Sequence, residues 1–251
     1  MTDYATLPAS ELPALTVDQM REVDRLMAGK YAISLVQMME NAGRALATLA
    51  RELYLGKFLQ QKTVVILAGS GGNGGGGLVC ARRLVCWGAQ VLVLLTKDPS
   101  KYEGVPLQQL KSLENLNIRL GRFTREVMDA TEPDLIIDAI IGYSLRDNLQ
   151  GVAAEMTKAT NEKVETSILS LDTPSGFDPN GVLHNPHIQA NATLTLALPK
   201  VGLVDPTFAS VVGDLYLADI SVPPVLYTEP SLGFEVPTLF SEGDIARILV
   251  S

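Results

Sequence analysis

Alternation between apolar strands and helices, from residue 62 onward, is the feature that most constrains this fold. Seven segments are predicted to be strands: "KTVVILAG", "QVLVLLT", "IRLG", "DLIIDAIIG", "TSILSLDTPSG", "ATLTLALP" and "GDLYLADISV". Helical segments lie between most of them. Strands that are apolar on both faces and separated by helices are typical of a parallel sheet covered on both sides. We therefore predict an α/β fold, a three-layer α/β/α sandwich with a mostly parallel sheet.

Two helices are predicted before the first of these strands. Thr16 and Gln19 have the spacing of a capping box, which marks the start of one helix. Ser34 is a candidate N-cap for the second helix, because apolar residues recur at helical spacing after it. We divide the chain into three parts: a loose leader (1–14), one domain (15–235) and a C-terminal helical tail (236–251).

Composition restricts the partners and the compartment. The net charge is −8, with 47% hydrophobic and 19% charged residues, so the chain is expected to fold and to repel nucleic acid and anionic membranes. No apolar run approaches the ~20 residues needed to span a bilayer. The opening residues lack the basic start and apolar core of a signal peptide. We expect a cytoplasmic protein with no membrane and no nucleic-acid partner.

Polar or glycine residues follow four of the predicted strands. In open parallel sheets, ligands bind beyond the carboxyl ends of the strands. We therefore expect four segments to converge on one site: 69–77, 138–148, 172–181 and 199–202.

The first of these segments, "GSGGNGGGG", contains seven glycines and directly follows the apolar run "TVVILA". Backbone N–H groups at a helix N-terminus attract anions, and glycine lets a phosphate come close. The segment matches G-x-G-x-x-G, but the acidic residue of the dinucleotide fingerprint comes late, at Asp98. No G-K-[ST] follows, which disfavours a P-loop. The alternative is a tight turn that binds no ligand.

The other three segments carry charged side chains. Asp138 and Asp172 each follow an apolar run, and Asp172 is a candidate for general acid–base catalysis. The alternatives are an N-cap at Asp138 and a turn former at Asp172. Gly142 and the polar residues after it, with the cation of Arg146, are suited to enclosing a phosphate. Lys200 directly follows a strand, where a lone lysine is otherwise a solvated surface residue.

Five motifs occur in a characteristic order: "MMENAGRA", a glycine-rich segment running into "GGLVCARRL", "DAIIGYSL", "LDTPSGFDPNG" and "TLTLALPKVGL". In these motifs, over roughly residues 15–225, the chain resembles the YjeF N-terminal domain family, the NAD(P)H-hydrate epimerases. The resemblance implies a Rossmann-like sandwich preceded by two helices. It also implies interconversion of the R and S forms at C6 of hydrated NADH or NADPH (NADHX or NADPHX). A potassium ion and a homodimer are frequent in the family.

The resemblance further implies roles for particular residues. Asn73, Asp138 and Ser175 match the family's potassium ligands, and oxygen ligands suit a hard cation. Asp172 is expected beside the nicotinamide ring as the catalytic acid–base, with Lys200 as its catalytic assistant. The implied substrate-binding residues are Gly72, Asn73, Gly74, Gly75, Gly76, Gly142, Tyr143, Ser144, Leu145, Arg146, Asp147, Asn148 and Asp172.

The chemistry expected of this site starts from a hemiaminal, since C6 carries a hydroxyl beside the ring nitrogen. Proton-assisted loss of that hydroxyl gives an iminium, and water adding to the other face completes the inversion. In some relatives a dehydratase domain follows at the C-terminal end. We expect here that the dehydratase is a separate chain, or that this chain is a fragment.

Two positions depart from the family pattern. The family segment usually reads glycine, any residue, glycine and then Asn-Asn-Gly-Gly-Asp-Gly, so Gly72 replaces an asparagine and Gly76 an aspartate. These losses leave a second hypothesis open: a non-catalytic member that keeps a nucleotide pocket or a dimeric scaffold. A third hypothesis is an ordinary dinucleotide-dependent oxidoreductase, although no hydride-transfer constellation is evident.

Overall fold

The computed structural model describes residues 4–250 and contains a nine-stranded sheet and a separate two-stranded hairpin. The strands are β1 (Ala5–Pro8), β2 (Thr63–Ala68), β3 (Gln90–Leu95), β4 (Arg119–Arg122), β5 (Leu135–Ala139), β6 (Ser167–Leu171), β7 (Phe177–Asp178), β8 (Val182–Leu183), β9 (Ala192–Leu196), β10 (Asp214–Ala218) and β11 (Ile245–Leu249). The large sheet runs β1-β11-β10-β9-β6-β5-β2-β3-β4. Within the described residues, its only antiparallel pair is β10 with β11. The prediction of a mostly parallel sheet is confirmed.

Helices cover both faces of this sheet. They are α1 (Val17–Gly29), α2 (Leu35–Ala50), α3 (Gly72–Cys86), α4 (Gly104–Asn115), α5 (Arg125–Asp129), α6 (Gly151–Asn161), α7 (Ala209–Val212) and α8 (Pro224–Tyr227). Val64 and Ile66 of β2 belong to a core with residues of α2, α3 and α4, whereas Val65 and Leu67 belong to a core with α5 and α6. Alternate side chains of one strand thus fill two cores, each fully buried side chain contributing roughly 1.5–3 kcal/mol.

The two predicted N-terminal helices are confirmed, and local side chains define where each begins. The hydroxyl of Thr16 accepts a hydrogen bond from the Gln19 N–H at 3.3 Å, and the Gln19 side chain accepts from the Thr16 N–H at 2.8 Å. At α2 the side chain of Gln37 accepts from the Ser34 N–H at 2.8 Å. Both helices therefore start at capping boxes, which satisfy N–H groups that have no partner within the helix.

The predictions for the two chain ends are wrong. The predicted leader contains β1, which pairs in parallel with β11, and β11 lies in the predicted helical tail. Ile245, Ala246 and Ile248 are buried, while Arg247 and Leu249 are exposed. This nearly alternating burial suits a strand placed between two neighbours. Residues 1–3 and 251 of these segments lie outside the described residues.

The order of the strands places a ligand crevice at a particular point of the sheet. From β2 the chain continues outward to β3 and β4, and then returns to the other side of β2 to form β5, β6 and β9. This reversal lies between β2 and β5, and such switch points bind ligands at the carboxyl ends of the strands. No helix within residues 4–250 is both long and apolar enough to cross a membrane.

Candidate active site

The glycine segment is shorter as a loop than predicted, because α3 begins at Gly72. A Cβ atom built at Gly75 would lie 2.6 Å from the Met39 sulfur, and one at Gly77 would lie 2.6 Å from the Ala139 Cβ. A Cβ atom at either position would force its neighbour to shift, so glycine in the first turns of α3 allows this helix to pack closely against α2 and β5. The N-terminus of α3 therefore opens directly at the switch point.

Two adjoining cavities open at this edge of the sheet. The first, about 310 Å³, lies between α1, α2 and the ends of β6 and β9, and it has an apolar wall that includes Met20, Met38 and Met39. The second, about 340 Å³, lies over the switch point and is lined by Ser70 and Lys97 among others. The residues that line both cavities are Gly72, Asn73, Gly142 and Ser144.

The predicted substrate-binding residues divide into two groups. Gly72, Asn73, Gly76, Gly142, Tyr143, Ser144 and Asp172 line the first cavity. Gly74, Gly75 and Leu145 are buried, whereas Arg146, Asp147 and Asn148 are exposed, and none of these six lines either cavity. The second half of the predicted phosphate loop thus points away from the cavities, and its Arg146 does not supply the expected cation there.

Asp172 is a charged residue that lines the first cavity. It follows β6 directly, and its backbone N–H donates to the Leu194 carbonyl at 2.7 Å. Its φ is 66°, in the left-handed region that aspartate enters more readily than most residues. Such backbone strain costs on the order of 1–3 kcal/mol and is concentrated at functional sites. The strained backbone places the carboxylate at the cavity wall.

Lys200 is paired with this carboxylate and is completely buried. Its Nζ donates to Asp172 Oδ1 at 2.5 Å, to Thr195 Oγ1 at 3.0 Å and to the Leu196 carbonyl at 2.9 Å. All three ammonium hydrogens are therefore used, and the side chain does not line the cavity. A parallel bridge to Leu15, just before α1, fixes the backbone of Lys200. Lys200 compensates the charge of Asp172 from behind the cavity wall.

Gly142 brings backbone against the other oxygen of Asp172. The Tyr143 N–H donates to Asp172 Oδ2 at 2.8 Å. A Cβ atom at Gly142 would lie 2.5 Å from that oxygen and 3.1 Å from Asn73 Oδ1. Only a residue without a side chain fits between Asp172 and Asn73, so Gly142 brings the carboxylate, the amide and the Tyr143 N–H together.

Asp138 is held differently, although it too stands at a strand end and is fully buried. Ser175 donates to it from the hydroxyl at 2.6 Å and from the backbone N–H at 2.8 Å, and the Ser170 hydroxyl donates at 2.8 Å. Burial raises the pKa of Asp138, and these hydrogen bonds oppose that rise. Asp138 and Ser175 are thus brought together as predicted, whereas no hydrogen bond joins Asn73 to either of them in residues 4–250.

Asp24 of α1 is a site residue that the sequence reasoning missed. It lines the first cavity, and one of its carboxylate oxygens, Oδ2, accepts a hydrogen bond from the Tyr143 hydroxyl. Burial raises the pKa of Asp24 and also that of Tyr143. A sequence signal was present: Asp24 stands four residues after Met20 and three before Met27, in the apolar stripe of α1.

The two departures from the family pattern have different steric consequences. A Cβ at Gly72 would have no atom nearer than the Met39 Cε at 3.9 Å, so a side chain fits there. A Cβ at Gly76 would lie 2.8 Å from Leu171 Cδ2. Leu171 thus occupies space that an aspartate at position 76 would need, and the cavity wall is apolar at this point.

Comparison with known proteins agrees with this fold and site. Residues 35–202 match the family described as "YjeF-related protein N-terminus". An NAD(P)H-hydrate epimerase of Dehalogenimonas lykanthroporepellens is 39% identical over 251 residues, 99% of this chain and 98% of that protein. A bifunctional NAD(P)H-hydrate repair enzyme of Moorella thermoacetica is 33% identical over 216 residues, 83% of this chain and 40% of that enzyme.

A solved structure supports the same assignment. The crystal structure of a yeast protein superimposes with a TM-score of 0.79 at 25% identity, covering 94% of this chain and 100% of that one. The family match covers more than half of the chain, and the Dehalogenimonas relative covers nearly all of it. The chain therefore belongs to the YjeF N-terminal family, which confirms the resemblance inferred from its five motifs.

Proposed function

We propose that this chain is an NAD(P)H-hydrate epimerase, an isomerase that interconverts the R and S forms at C6 of hydrated NADH or NADPH. The observation that carries the proposal is the buried Asp172 carboxylate, which Lys200 and the Tyr143 N–H hold at the wall of the first cavity. Relatives named NAD(P)H-hydrate epimerase from five organisms are 30–39% identical to this chain, which supports the same activity.

The two cavities suit the two chemically different parts of such a substrate. The apolar wall of the first cavity suits a reduced, uncharged nicotinamide ring. The second cavity combines Lys97, Ser70 and the N-terminus of α3. Cationic groups and free N–H groups at a helix N-terminus favour phosphate. We place the ring beside Asp172 and the pyrophosphate toward Lys97.

Asp172 performs the proton transfer in this proposal. The C6 hydroxyl first takes up a proton from solvent or from an acid on the face where it departs. The C6–O bond then breaks, the lone pair of the ring nitrogen forms the C6=N bond of an iminium, and water leaves. Asp172 then accepts a proton from the water that attacks the other face, and a well-placed group of this kind typically contributes 10²–10⁴-fold. Lys200 acts as a positioning residue, because its ammonium holds Asp172 and does not reach the ring.

The two alternative hypotheses have no observation in their favour. Asp98, the late acidic residue of the dinucleotide pattern, accepts from the Ser100 N–H at 3.0 Å and lines neither cavity. An oxidoreductase therefore has no ribose ligand at that position. A non-catalytic scaffold has no need for a strained carboxylate paired with a buried lysine at a cavity wall.

A coupled assay tests the epimerase proposal. Pure R-NADHX is supplied with a dehydratase specific for the S form, with and without this protein, and consumption of the R form is followed. We expect consumption well above the spontaneous rate. A folded protein that does not accelerate it, at any potassium concentration, would refute the epimerase proposal.

We also propose that a potassium ion binds among Asn73, Asp138 and Ser175. Their donors are amide, carboxylate and hydroxyl oxygens, as a hard cation requires. The Ser175 hydroxyl has a second acceptor in the Ile141 carbonyl at 3.2 Å, so it can release Asp138 Oδ1. Within residues 4–250 the buried Asn73 Nδ2 has no hydrogen-bond partner, so no hydrogen bond from Nδ2 holds that amide in its present rotamer. When bound, the ion would offset the charge of Asp138.

Thermal unfolding tests the ion site independently of activity. We expect the melting temperature to rise with KCl more than with tetramethylammonium chloride at equal ionic strength, since a ligand stabilises only the state that binds it. The rise should disappear in Asn73→Ala. Equal melting curves in both salts would overturn the ion proposal and leave the epimerase proposal standing.

We further propose a homodimer, a cytoplasmic location and cooperation with a dehydratase. The family resemblance supports the dimer, which sedimentation at several concentrations tests. The bifunctional Moorella enzyme, of which this chain spans 40%, supports a second repair activity in another polypeptide or in a further part of this protein. Dehydratase consumption of the epimerised product, in the same coupled assay, tests that cooperation.

A further inference from the structure

Two carboxylates, from different walls of the first cavity, accept hydrogen bonds from the backbone and from the side-chain hydroxyl of one residue, Tyr143. Asp172 Oδ2 accepts from the backbone N–H of Tyr143 at 2.8 Å, and Asp24 Oδ2 accepts from the hydroxyl of the same residue. Asp172 follows β6, whereas Asp24 belongs to α1. The length of a tyrosine therefore separates the two acids, and both line the space between them.

The two acids have unlike surroundings. Asp172 forms an ion pair with the buried ammonium of Lys200 at 2.5 Å. The partner of Asp24 is the neutral phenol of Tyr143. Burial raises the pKa of Asp24; the Tyr143 hydrogen bond opposes this rise, and the negative charge of Asp172 adds to it. Neighbouring acids whose environments differ in this way commonly divide the acid and base roles of one reaction.

Inversion at C6 needs proton transfer on both faces of the ring. One group must give a proton to the departing hydroxyl, and a second group must take a proton from the water that arrives on the other face. Asp172 supplies only one of these groups. Resting on the proposed epimerase function, we propose that Asp24 is the second catalytic acid–base residue, acting on the face of C6 opposite to Asp172.

The two steps balance as follows in one direction. The Asp24 carboxylic acid gives its proton to the C6 hydroxyl, the C6–O bond breaks, and the nitrogen lone pair forms the iminium as water leaves. Water then attacks from the other face, Asp172 takes its proton, and the electron pair returns to nitrogen. Exchange with solvent restores both acids to their starting states. In the other direction Asp172 is the acid and Asp24 the base.

Oxygen exchange separates this role from a merely structural one. Each epimer is prepared with an ¹⁸O label in the C6 hydroxyl, and both inversion and loss of label to water are measured. An acid–base group on one face of C6 can release the hydroxyl as water and add water again on the same face, which exchanges the oxygen without inversion. Asp24→Asn should therefore lower inversion by at least about 10²-fold while one epimer keeps losing its label. In Asp172→Asn, the other epimer should continue to lose its label.

A positioning role would leave a different pattern. If Asp24 only orients Tyr143, and through it Asp172, then Asp24→Asn should slow label loss from both epimers to the same extent, which would overturn the proposal. Unchanged inversion would also overturn it. Tyr143→Phe removes the hydroxyl alone, so we expect a smaller effect on the same epimer as Asp24→Asn. If Asp24→Asn does not fold, Tyr143→Phe is used in its place. Equal slowing of label loss from both epimers in Tyr143→Phe would then overturn the proposal.

Asp18→Asn is the matched control, since Asp18 lies on the same helix, has 89% of its side chain exposed and pairs with Arg21 on the surface of that helix. It should leave inversion and exchange unchanged. A wild-type protein that inverts neither epimer would refute the epimerase function itself, and with it the role of Asp24. If the wild type is active and Asp24→Asn slows label loss equally from both epimers, only the role of Asp24 would be refuted.

Discussion

Asp138 and Asp172 are two buried carboxylates at the ends of adjacent strands, and they show how one sequence signal leads to two different sites. Neutral groups surround Asp138: Ser170 and Ser175 donate three hydrogen bonds, and the Ile140 N–H donates a fourth at 3.3 Å. A carboxylate has about four lone-pair sites, so these four bonds use its acceptor capacity unless the Ser175 hydroxyl releases Oδ1. Asp138 lines neither cavity.

Asp172 instead receives one charged donor, Lys200, and one backbone donor, the Tyr143 N–H. These two bonds leave part of its acceptor capacity unused, and the residue lines the first cavity. The two carboxylates differ in their donors. Asp138 accepts hydrogen bonds from neutral groups on every side and so connects neighbouring segments of the chain. Asp172 has a buried cation on one side only, so its carboxylate can still act on a ligand. Four variants test this distinction.

Asp172→Asn should have the largest effect. Asparagine tolerates the left-handed backbone, but it leaves the buried Lys200 ammonium uncompensated, which typically costs about 3–5 kcal/mol. We also expect epimerisation to fall by about 10²–10⁴-fold. Urea unfolding and the coupled R-NADHX assay measure the two losses.

The double variant Asp172→Asn with Lys200→Met separates these effects. Because it removes both charges, we expect most of the unfolding free energy to return while epimerisation stays low. Activity that returns together with stability would mean that Asp172 matters only for folding, and the contrast with Asp138 would disappear.

Gly142→Ala should have the next largest effect on rate. Its Cβ would meet Asp172 Oδ2 at 2.5 Å, so the carboxylate or the 140–143 backbone must move. A displacement of about 1 Å at a reacting group can cost about 10²-fold, and we expect a loss of that order in kcat. Gly121→Ala in β4 is the control, because a Cβ there meets no atom within 4 Å. Equal activity of the two variants would show that Asp172 tolerates displacement.

Asp138→Asn should reverse the balance seen at Asp172, with more effect on stability than on rate. An amide group would replace one acceptor oxygen and leave neighbouring serine donors without a partner, which costs about 1–3 kcal/mol. We expect the unfolding free energy to fall by that amount and the melting-temperature response to KCl to be lost. The rate at saturating substrate should fall less than in Asp172→Asn. A loss of rate as large as that of Asp172→Asn would place Asp138 with Asp172.

The parts of the molecule that were predictable from sequence are those that local signals specify. Capping boxes join residues three apart, as at Thr16 and Gln19, and continuous apolar runs indicate buried parallel strands whatever their order. The convergence of strand ends follows from a topological rule. Their positions after strands already indicated Asp172 and Lys200, and the family motifs added a shared role for them; the structure joins the two residues in one ion pair.

The features that were missed depend on contacts between distant segments. Helix α3 starts within the glycine run because Gly75 and Gly77 admit Met39 and Ala139, and this packing overrides the poor helix propensity of glycine. β11 is a strand because β1 and β10, from remote parts of the chain, provide its hydrogen-bonding partners. The apolar stripe of α1 places Asp24 on the inner face of that helix, but no local pattern specifies that α1 docks beside the strand ends, and this docking brings Asp24 to the cavity.

Asp24 is an intermediate case between the two carboxylates, with a neutral partner like Asp138 but a place on the cavity wall like Asp172. Burial raises its pKa above the ordinary 3.8, so the folded protein binds its proton more tightly than the unfolded chain does. Its contribution to stability is therefore complete below pH 3.8 and is lost as the pH rises through the raised pKa. Asp24→Asn does not titrate.

We expect the unfolding free energy of the wild type, relative to Asp24→Asn, to decrease as the pH rises from 3.8 through the raised pKa of Asp24. The charged or titratable groups facing Asp24 are Tyr143, Asp172 and Lys200, and the raised pKa of Tyr143 keeps its phenol neutral over this range. Urea unfolding of both proteins between pH 3.5 and roughly pH 7 measures the difference. A difference that stays flat or increases would mean that Asp24 is ionised at no cost, like a solvated surface carboxylate, and is unsuited to donate a proton.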